Sequence, residues 1–316
     1  MTKTPLIVLT GPTAVGKTNL SIKLAKMLGG EIISADSMQV YKHMDIGSAK
    51  ITPEEMAGVP HHMIDILEPF DEFNVVIFKE KVKQCIEEIT ERNHIPILTG
   101  GTGFYIQAVL YDIDFTENEE NTEIRKRLEA LAEEKGAEYL HKQLAKVDKE
   151  SAESIHANNI KRVVRALEFY ELTGKKISEH NEAERAKQSA YDSCYFVLND
   201  DRAVLYERID RRVDKMMEDG LVEEVKKLKS MGCDRKLVSM QGLGYKEILS
   251  YLDGEISLEE AVYLIKRDTR HFAKRQLTWF RREKEVIWVD KNAFEYEEDK
   301  ILQFMVERWN NRSKQD

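Results

Sequence analysis

Apolar and polar positions follow two alternating patterns in the first third of the chain. Short apolar runs that predict β-strands occur at residues 5–9 (PLIVL), 31–36 (EIISAD), 62–67 (HMIDIL, the weakest) and 94–101 (HIPILTGG). Between them, apolar residues recur every three or four positions, which predicts helices; one runs from about Val75 to Arg92 with Asn74 as its N-cap. Strands that alternate with helices are typical of an α/β fold with a doubly wound parallel sheet.

The pattern changes after Asp114. Residues 117–188 are rich in Glu, Lys, Arg, Ala and Leu, and their propensity is helical almost throughout. Strand character returns at residues 194–199 (CYFVLN) and at 286–290 (VIWVD). We therefore predict an all-helical domain, residues 114–199, inserted into an α/β core of residues 1–113 and 200–316, since surface loops commonly accept domain insertions.

The composition places the chain among globular proteins. Its 316 residues are 42% apolar and 33% charged, which suits a large buried core and not a disordered chain. No window holds the roughly eighteen apolar residues of a membrane span, and the apolar N-terminus is too short for a signal peptide, so we expect a soluble, cytoplasmic protein without a membrane segment. The three cysteines form no C-x-x-C pair, which favours reduced thiols over a zinc site.

Residues 11–18 (GPTAVGKT) match the phosphate-loop pattern G-x-x-x-x-G-K-[ST]. A predicted strand precedes them and a predicted helix follows, and this context separates a phosphate loop (P-loop) from a chance match. The N–H groups of residues 13–18 are then expected to converge on an anion, with Lys17 neutralising its charge and Thr18 ligating Mg²⁺. The pattern leaves open whose phosphates are bound, and a nucleotide such as ATP is one candidate.

Two polar loops are predicted at carboxyl ends of strands, where parallel sheets bind ligands. In residues 35–50, Asp36 is either an ordinary turn carboxylate or a magnesium ligand or general base. In residues 97–105 (ILTGGTGFY), Thr102 lies among glycines that let a ligand approach the backbone, although a plain turn before a helix has the same pattern. That strand ends without the acidic residue of Walker B sites, which counts against ordinary ATP hydrolysis.

The net charge is −9, but basic residues are concentrated in two segments. Residues 265–284 contain Lys266, Arg267, Arg270, Lys274, Arg275, Arg281, Arg282 and Lys284, with aromatic residues between them. Residues 158–176 begin with Lys161, Arg162 and Arg165 on one predicted helix face. Because such side chains bind phosphates and aromatic rings stack on bases, the segments predict a groove for a polyanion. A solvated helix with a buried aromatic stripe is the alternative.

Two other segments leave the choice open. Arg208, Arg211 and Arg212 lie on one predicted helix, where each could reach an anionic ligand or form a surface salt bridge with a nearby carboxylate. Tyr245 and Lys246 follow a loop with two glycines, where they could contact RNA or cap a helix. Sequence alone does not decide between these roles.

Six motifs occur together in a diagnostic order. They are GPTAVGKT, DSMQVYKHMDIGSAK, LTGGTGFY, RALEFYELTGKKIS, GLGYKE and KRQLTWFR. From about residue 5 to about residue 290, the chain resembles the tRNA dimethylallyltransferases, also called tRNA isopentenyltransferases. Two departures are Ser48, where the family has threonine, and HANNIKR before the second basic helix, where the family has a Pro-Gln or Pro-Lys turn.

The resemblance implies transfer of a dimethylallyl group from dimethylallyl diphosphate to the exocyclic N6 of the adenosine next to the 3′ side of the anticodon. Asp36 would accept the N6 proton, and Thr102 would contact the adenine or bridge it to the donor. Arg208 or Arg212 would assist at the diphosphate, and Thr18 would hold Mg²⁺. The donor would lie against the phosphate loop, formed by Gly11, Pro12, Thr13, Ala14, Val15, Gly16, Lys17 and Thr18.

The resemblance also implies a tRNA partner whose anticodon stem-loop the inserted helices grip, and we expect a monomer. The residues expected to meet the tRNA, from the resemblance or from the basic and glycine-containing segments, are Asp36, Ser37, Met38, Gln39, Lys161, Arg162, Val163, Val164, Arg165, Tyr245, Lys274, Arg275 and Trp279. Two other functions share the phosphate loop: a small-molecule or nucleotide kinase, and a nucleotide-dependent RNA-binding switch. A kinase needs the loop and magnesium but not the arginine-rich aromatic segment.

Overall fold

The computed structural model describes residues 3–115 and 123–312 of a chain that forms two compact units. The larger unit comprises residues 1–110 and 190–316, and the smaller comprises residues 111–189. The predicted end of the insertion at residue 199 is corrected to residue 189. Residues 190–199 belong to the larger unit because their strand pairs with the N-terminal strand.

Six strands form one parallel sheet in the larger unit. They are β1 (Pro5–Thr10), β2 (Gly30–Ser34), β3 (His61–His62), β4 (Ile95–Gly100), β5 (Asp192–Asn199) and β6 (Val286–Asp290). Their order is β3-β2-β4-β1-β5-β6, with every neighbouring pair parallel. The parallel α/β sheet is thereby confirmed. The weakest predicted strand, residues 62–67, is wrong in its bounds: the strand that pairs with β2 is His61–His62, and Leu67 bridges to Tyr41 instead.

The helices of the described ranges surround this sheet or build the smaller unit. In chain order they are α1 (Lys17–Leu28), α2 (Pro53–Met56), α3 (Val75–Glu91), α4 (Gly103–Leu110), α5 (Glu123–Lys135), α6 (Ala137–Val147), α7 (Lys149–Ser154), α8 (Ile160–Thr173), α9 (Ile177–Ala186), α10 (Arg202–Glu218), α11 (Leu221–Ser230), α12 (Tyr245–Leu252), α13 (Leu258–Phe280) and α14 (Glu298–Asn311). None of these helices is both long and apolar enough to cross a bilayer.

Local sequence explains the main elements of the larger unit. Residues 6–9 of β1 have no exposed surface, since the strand lies inside the sheet and helices cover both faces, which is why its sequence is apolar without alternation. Helix α3 begins where predicted because the Asn74 side chain accepts the N–H groups of Val76 (3.0 Å) and Ile77 (3.1 Å). Helix α1 ends at Gly29, whose φ of 65° suits glycine.

The smaller unit is a helical bundle with its own apolar core. Leu140 and Leu144 of α6 pack in this core with residues of α5 and α8. Buried Asp148 joins two helices, because its carboxylate accepts the N–H and hydroxyl of both Ser151 and Ser178 at 2.7 to 3.0 Å. The predicted all-helical insertion is therefore present within its described residues.

Candidate active site

The carboxyl ends of β1, β2 and β4 open into one cavity of about 750 Å³. Its walls are the phosphate loop after β1, the loops after β2 and β4, and facing residues of α10 and α13. This is the edge at which a parallel sheet binds ligands, because its βα loops meet there. The structure thus brings together the five residues predicted to be catalytic, which are Lys17, Asp36, Thr102, Arg208 and Arg212.

The phosphate loop takes its shape from two glycines with positive φ. Gly11 has a φ of 144°, and a Cβ there would lie 2.5 Å from the carbonyl oxygen of Leu198. Gly16, with a φ of 97°, is the N-cap of α1; because no side chain caps this helix, the N–H groups of its first turn are open to an anion. The Lys17 ammonium donates to the carbonyl oxygens of Gly11 (3.0 Å) and Pro12 (2.8 Å).

One amide of the loop is already engaged. The Thr13 N–H donates to Oε1 of Gln276 on α13 at 2.9 Å. The predicted convergence of the N–H groups of residues 13–18 on an anion is therefore wrong at Thr13. Its hydroxyl accepts from Nη1 of Arg212 at 3.4 Å, so Thr13 connects the phosphate loop to both α10 and α13.

Two arginines one turn apart on α10 line the cavity in different surroundings. Arg208 donates to the buried carboxylate of Asp200 at 2.5 Å, and the Tyr296 hydroxyl donates to the other oxygen of that carboxylate at 3.0 Å. Arg212 forms no ion pair with any residue that the structure describes, and it reaches the phosphate loop at Thr13. Of the two candidates, Arg212 is therefore the cation that can turn to an incoming anion.

Burial and neighbouring charges shift the pKa values of Lys17 and Arg212 in the cavity. The pKa of Lys17 is lowered to about 7, mainly because burial disfavours the ammonium and also because Arg212 repels it, while Asp36 acts in the opposite direction. Burial also lowers the pKa of Arg212, and Asp36 again opposes the shift. Two basic groups face one carboxylate here, so an anion in the cavity would stabilise the charged form of both.

The loop after β2 is held by its own side chains. Oδ1 of Asp36 accepts the Met38 N–H at 2.9 Å, and Oδ2 has no hydrogen bond to the described part of the chain. Gln39 is engaged at both ends of its amide: Oε1 accepts from the Ser34 hydroxyl at 2.9 Å, and Nε2 donates to the Ala49 carbonyl at 3.3 Å. Gln39 therefore holds the loop in place, whereas Asp36 keeps one carboxylate oxygen available.

Tyr245 is fully buried, so the prediction that it meets RNA is wrong. Its ring lies against Gly47, where a Cβ would come within 2.5 Å, and its hydroxyl donates to Glu224 on α11 at 2.8 Å. The Glu224 carboxylate also accepts the N–H groups of residues 45, 46 and 47 at 2.7 to 3.0 Å. Glu224 and Tyr245 together clamp the far end of the loop that begins at Asp36.

Six of the basic residues of α13 and the turn after it divide into two groups. The first is paired with carboxylates: Lys266 with Asp214, Arg267 with Asp268, and Arg270 with Asp210. Lys274, Arg275 and Arg282 form no ion pair within the described ranges, and with Trp279 they line a second cavity of about 380 Å³. Lys266, Arg267 and Arg270 therefore fit the alternative of an ordinary salt-bridged helix. The predicted polyanion site is now limited to Lys274, Arg275 and Arg282.

Residues 161–165 of α8, which were predicted to bind RNA, include both buried and exposed side chains. Val163 and Val164 lie in the core of the smaller unit, so the prediction that they contact RNA is wrong. Lys161, Arg162 and Arg165 are exposed. Burial of its guanidinium, together with the nearby Arg125 and Arg162, lowers the pKa of Arg165, while Glu168 acts in the opposite direction. The helical period explains this division, because about 3.6 residues per turn place neighbours in the sequence on different faces.

Comparisons with known proteins show the family of the chain. A family model described as IPP transferase matches residues 39–283, and one described as isopentenyl transferase matches residues 4–68. The tRNA dimethylallyltransferase of Lachnoclostridium phytofermentans is 64% identical over 290 residues, which cover 92% of this chain and 93% of that protein. The chain belongs to the tRNA dimethylallyltransferase family. A second relative of that name, from Carboxydothermus hydrogenoformans, is 54% identical over 299 residues, covering 94% and 96% of the two chains.

Solved structures of tRNA dimethylallyltransferases have the same fold. The tRNA isopentenylpyrophosphate transferase from Bacillus halodurans is 46% identical, with a TM-score of 0.75 and 99% of each chain covered. A eukaryotic dimethylallyltransferase that acts on tRNA is 32% identical, with a TM-score of 0.78, covering 90% of this chain and 73% of its own. The resemblance inferred from six motifs is thereby confirmed.

The residues that line the cavity of this family member include oxygen ligands of the kind that a magnesium ion takes. Thr18 and Asp36 both line the cavity and offer a hydroxyl and a carboxylate. No three His, Cys, Asp or Glu side chains in residues 3–115 and 123–312 are grouped to hold a metal. Mg²⁺ prefers such oxygen ligands, and it commonly completes its octahedron with phosphate oxygens and water.

Sequence reasoning missed Gln276 and Glu224. The sequence could have indicated Gln276, because it lies at helical spacing between buried Ala273 and buried Phe280. A polar residue on a buried helix face needs hydrogen-bond partners. No local pattern indicated Glu224, since its backbone partners are distant in the sequence. His61 also lines the cavity, where burial lowers its pKa.

Proposed function

We propose that the chain transfers a dimethylallyl group from dimethylallyl diphosphate to the exocyclic N6 of the adenosine next to the 3′ side of the tRNA anticodon. Membership of the tRNA dimethylallyltransferase family supports the tRNA prenylation activity. The structural observation that supports the proposal most is that Lys17, Arg212 and Asp36 line one cavity. A diphosphate binder and a proton acceptor within one cavity are the two groups that this transfer needs.

Lys17 and Arg212 stabilise the departing diphosphate. When the allylic C–O bond breaks, negative charge grows on the diphosphate oxygens, and cations and N–H groups already aimed at them lower the barrier. One lost donor of this kind typically costs about 3 kcal/mol of transition-state stabilisation. The first-turn N–H groups of α1 contribute without a competing side-chain cap. Thr18 would hold Mg²⁺, which when bound supplies further neutralisation of the leaving group.

Asp36 orients the adenine N6 and accepts its proton. The N6 lone pair is delocalised into the ring, so a carboxylate that accepts an N6 hydrogen bond both fixes the amine and removes the proton as the C–N bond forms. The Met38 N–H holds Oδ1, and Oδ2 is the oxygen that serves as base. Thr102, Ser37 and Met38 form the neighbouring wall against the adenine. Gln39 supports the loop that contains Ser37 and Met38.

The tRNA binds to basic residues that have no salt bridge within the described ranges. Lys274, Arg275 and Trp279 on α13, and Lys161, Arg162 and Arg165 on α8, contact the anticodon stem-loop. These contacts offset the few kcal/mol required to take the target base out of its stack. Monomeric state and cytoplasmic location stay predictions.

A direct transfer assay tests the proposal. Purified protein is incubated with dimethylallyl diphosphate, Mg²⁺ and unmodified tRNA, and the nucleosides are then analysed by mass spectrometry. We expect one dimethylallyl increment on one adenosine, and its loss with Asp36→Asn at unchanged tRNA affinity. ATP turnover without any increment would instead support the kinase alternative.

A further inference from the structure

A buried glutamine joins two walls of the cavity. Gln276 of α13 is only 6% exposed, yet both ends of its amide are bonded. Oε1 accepts the Thr13 N–H of the phosphate loop at 2.9 Å, and Nε2 donates to the Gly101 carbonyl of the loop after β4, also at 2.9 Å. The side chain therefore bridges the loop that holds phosphate and the loop that contains Thr102.

The same face of α13 contacts the backbone on both sides of Thr102. A Cβ at Gly101 would lie 2.2 Å from Nε2 of Gln276, and a Cβ at Gly103 would lie 2.3 Å from Cδ1 of Trp279. Each glycine therefore lets one α13 side chain approach the backbone more closely than alanine would allow. The glycines on either side of Thr102 are therefore explained by the close approach of α13, and not only by the approach of a ligand.

We propose that Gln276 is a positioning residue that sets the spacing between the phosphate loop and Thr102. This inference rests on the proposed function, in which the first loop holds the leaving group and the second meets the adenine. The glutamine amide carries a hydrogen-bond donor and an acceptor on the same carbon. Glutamate lacks the donor, and lysine lacks the acceptor. Because α13 also carries Lys274 and Arg275, one helix connects the surface proposed to bind tRNA with both reacting groups.

Gln276→Met tests the bridge by removing both hydrogen bonds at similar volume. Misplacement of reacting groups by about 1 Å can cost about 10²-fold in rate, so we expect kcat to fall by about 10- to 100-fold. We expect KM for dimethylallyl diphosphate and for tRNA to change by no more than about three-fold, since the binding groups remain. A kcat within about two-fold of wild type, or a loss carried by KM, would overturn the proposal.

Gln84→Met is the matched control. Gln84 is exposed on α3 and, within the described residues, its side chain donates to Glu88 alone, so the same chemical change there is expected to leave kcat and both KM values unchanged. Gly101→Ala reaches the bridge from its other end, and it keeps the proposal testable if Gln276→Met does not fold. Gly101 has a φ that alanine can adopt, so the added methyl acts through the contact with Nε2.

A double-mutant cycle separates positioning from direct substrate contact. If the bridge is the cause, the losses of Gln276→Met and Gly101→Ala overlap, and the double variant is little slower than the worse single variant. Losses that multiply would overturn the bridge, because they would show that each residue acts on the substrate independently.

Hydrogen exchange supplies a readout that does not depend on catalysis. We expect faster exchange of the Thr13 amide in Gln276→Met, with unchanged exchange in β1 and β4. Unchanged exchange at Thr13 would overturn the bridge even if activity fell. Absence of prenyl transfer by the wild-type protein would contradict the proposed function, and the exchange result would still decide the bridge.

Discussion

Two helices of the larger unit each carry a neutralised basic group and a free one. On α13, Lys266 and Arg270 pair with carboxylates of α10, whereas Lys274 and Arg275, one turn further on, have no such partner in the described structure. On α10 the same contrast separates Arg208, paired with buried Asp200, from Arg212 at the phosphate loop. Local sequence is equally basic in both groups. The difference teaches that salt-bridge partners in space, and not the basic character of a segment, separate the cations proposed to bind anions from those that hold helices together.

The largest expected effect contrasts Arg212 with Arg208. Arg212→Ala removes from α10 a cation that faces the phosphate loop and has no salt bridge within the described residues, so we expect the single-turnover rate to fall by about 10²- to 10³-fold with little change in stability. Arg208→Ala leaves the buried Asp200 carboxylate without its cation, so we expect it to lower the free energy of unfolding by about 3 kcal/mol. Rapid-quench transfer assays and urea unfolding measure the two quantities.

One result would contradict the different roles assigned to Arg208 and Arg212. An Arg208→Ala variant as stable as wild type and as slow as Arg212→Ala would reverse the assignment of the two arginines. Arg211→Ala is the control, because Arg211 pairs with Glu207 on the exposed side of the same helix. We expect it to change neither quantity measurably.

The next effect compares the two groups on α13. In Lys274→Ala with Arg275→Ala, we expect tRNA affinity to fall by about 10- to 100-fold and the slope of log K against log salt to decrease by about one per residue. The matched pair Lys266→Ala with Arg270→Ala removes the same charge from the paired group. We expect its tRNA affinity to stay within about three-fold of wild type. Fluorescence anisotropy at several salt concentrations distinguishes them, and equal losses would contradict the division.

A smaller effect is expected from pH. Lys17, the neighbour of Arg212, has its pKa lowered to about 7 in the free protein. A bound diphosphate favours the ammonium and raises that pKa, so binding takes up a proton once the pH exceeds 7. Affinity for pyrophosphate should therefore fall as pH rises above 7, by at most about ten-fold per pH unit. Calorimetry in two buffers of different ionisation enthalpy measures the uptake.

Lys17→Met provides the control for this proton. The variant lacks the titrating ammonium, so the proton uptake that depends on Lys17 should disappear while the ionisation of pyrophosphate itself is unchanged. An identical pH dependence in wild type and variant would show that the cation assigned to Lys17 does not couple to the anion.

The smallest effect comes from freeing a paired cation. Asp210→Asn removes the carboxylate that neutralises Arg270, so we expect tRNA affinity to rise by about two- to three-fold at low salt. The partly exposed pair contributes no more than about 1 kcal/mol to stability. Weaker tRNA binding in this variant, measured by the same anisotropy assay, would mean that pairing alone does not separate the two groups.

Local patterns predicted most of the fold and part of the site. Strands β1, β4 and β6 and the start of α3 follow directly from apolar runs and from Asn74. The second boundary of the insertion was misplaced because strand β5 closes the helical segment in the sequence but pairs with β1 in space. Tyr245 follows a glycine-containing loop, a pattern that suits RNA contact as well as a helix start, yet its ring occupies the space that Gly47 leaves.

The sequence by itself determined the phosphate loop, the alternation of strands and helices, and the family, because each depends on residues close together in the chain. Tertiary structure alone decided that Arg208 forms an ion pair whereas Arg212 has none among the described residues, and that Gln276 bonds to Thr13, 263 residues away. The physical reason is that charge pairing, burial and hydrogen bonding depend on neighbours within a few ångströms in space. Such neighbours come from any part of the folded chain.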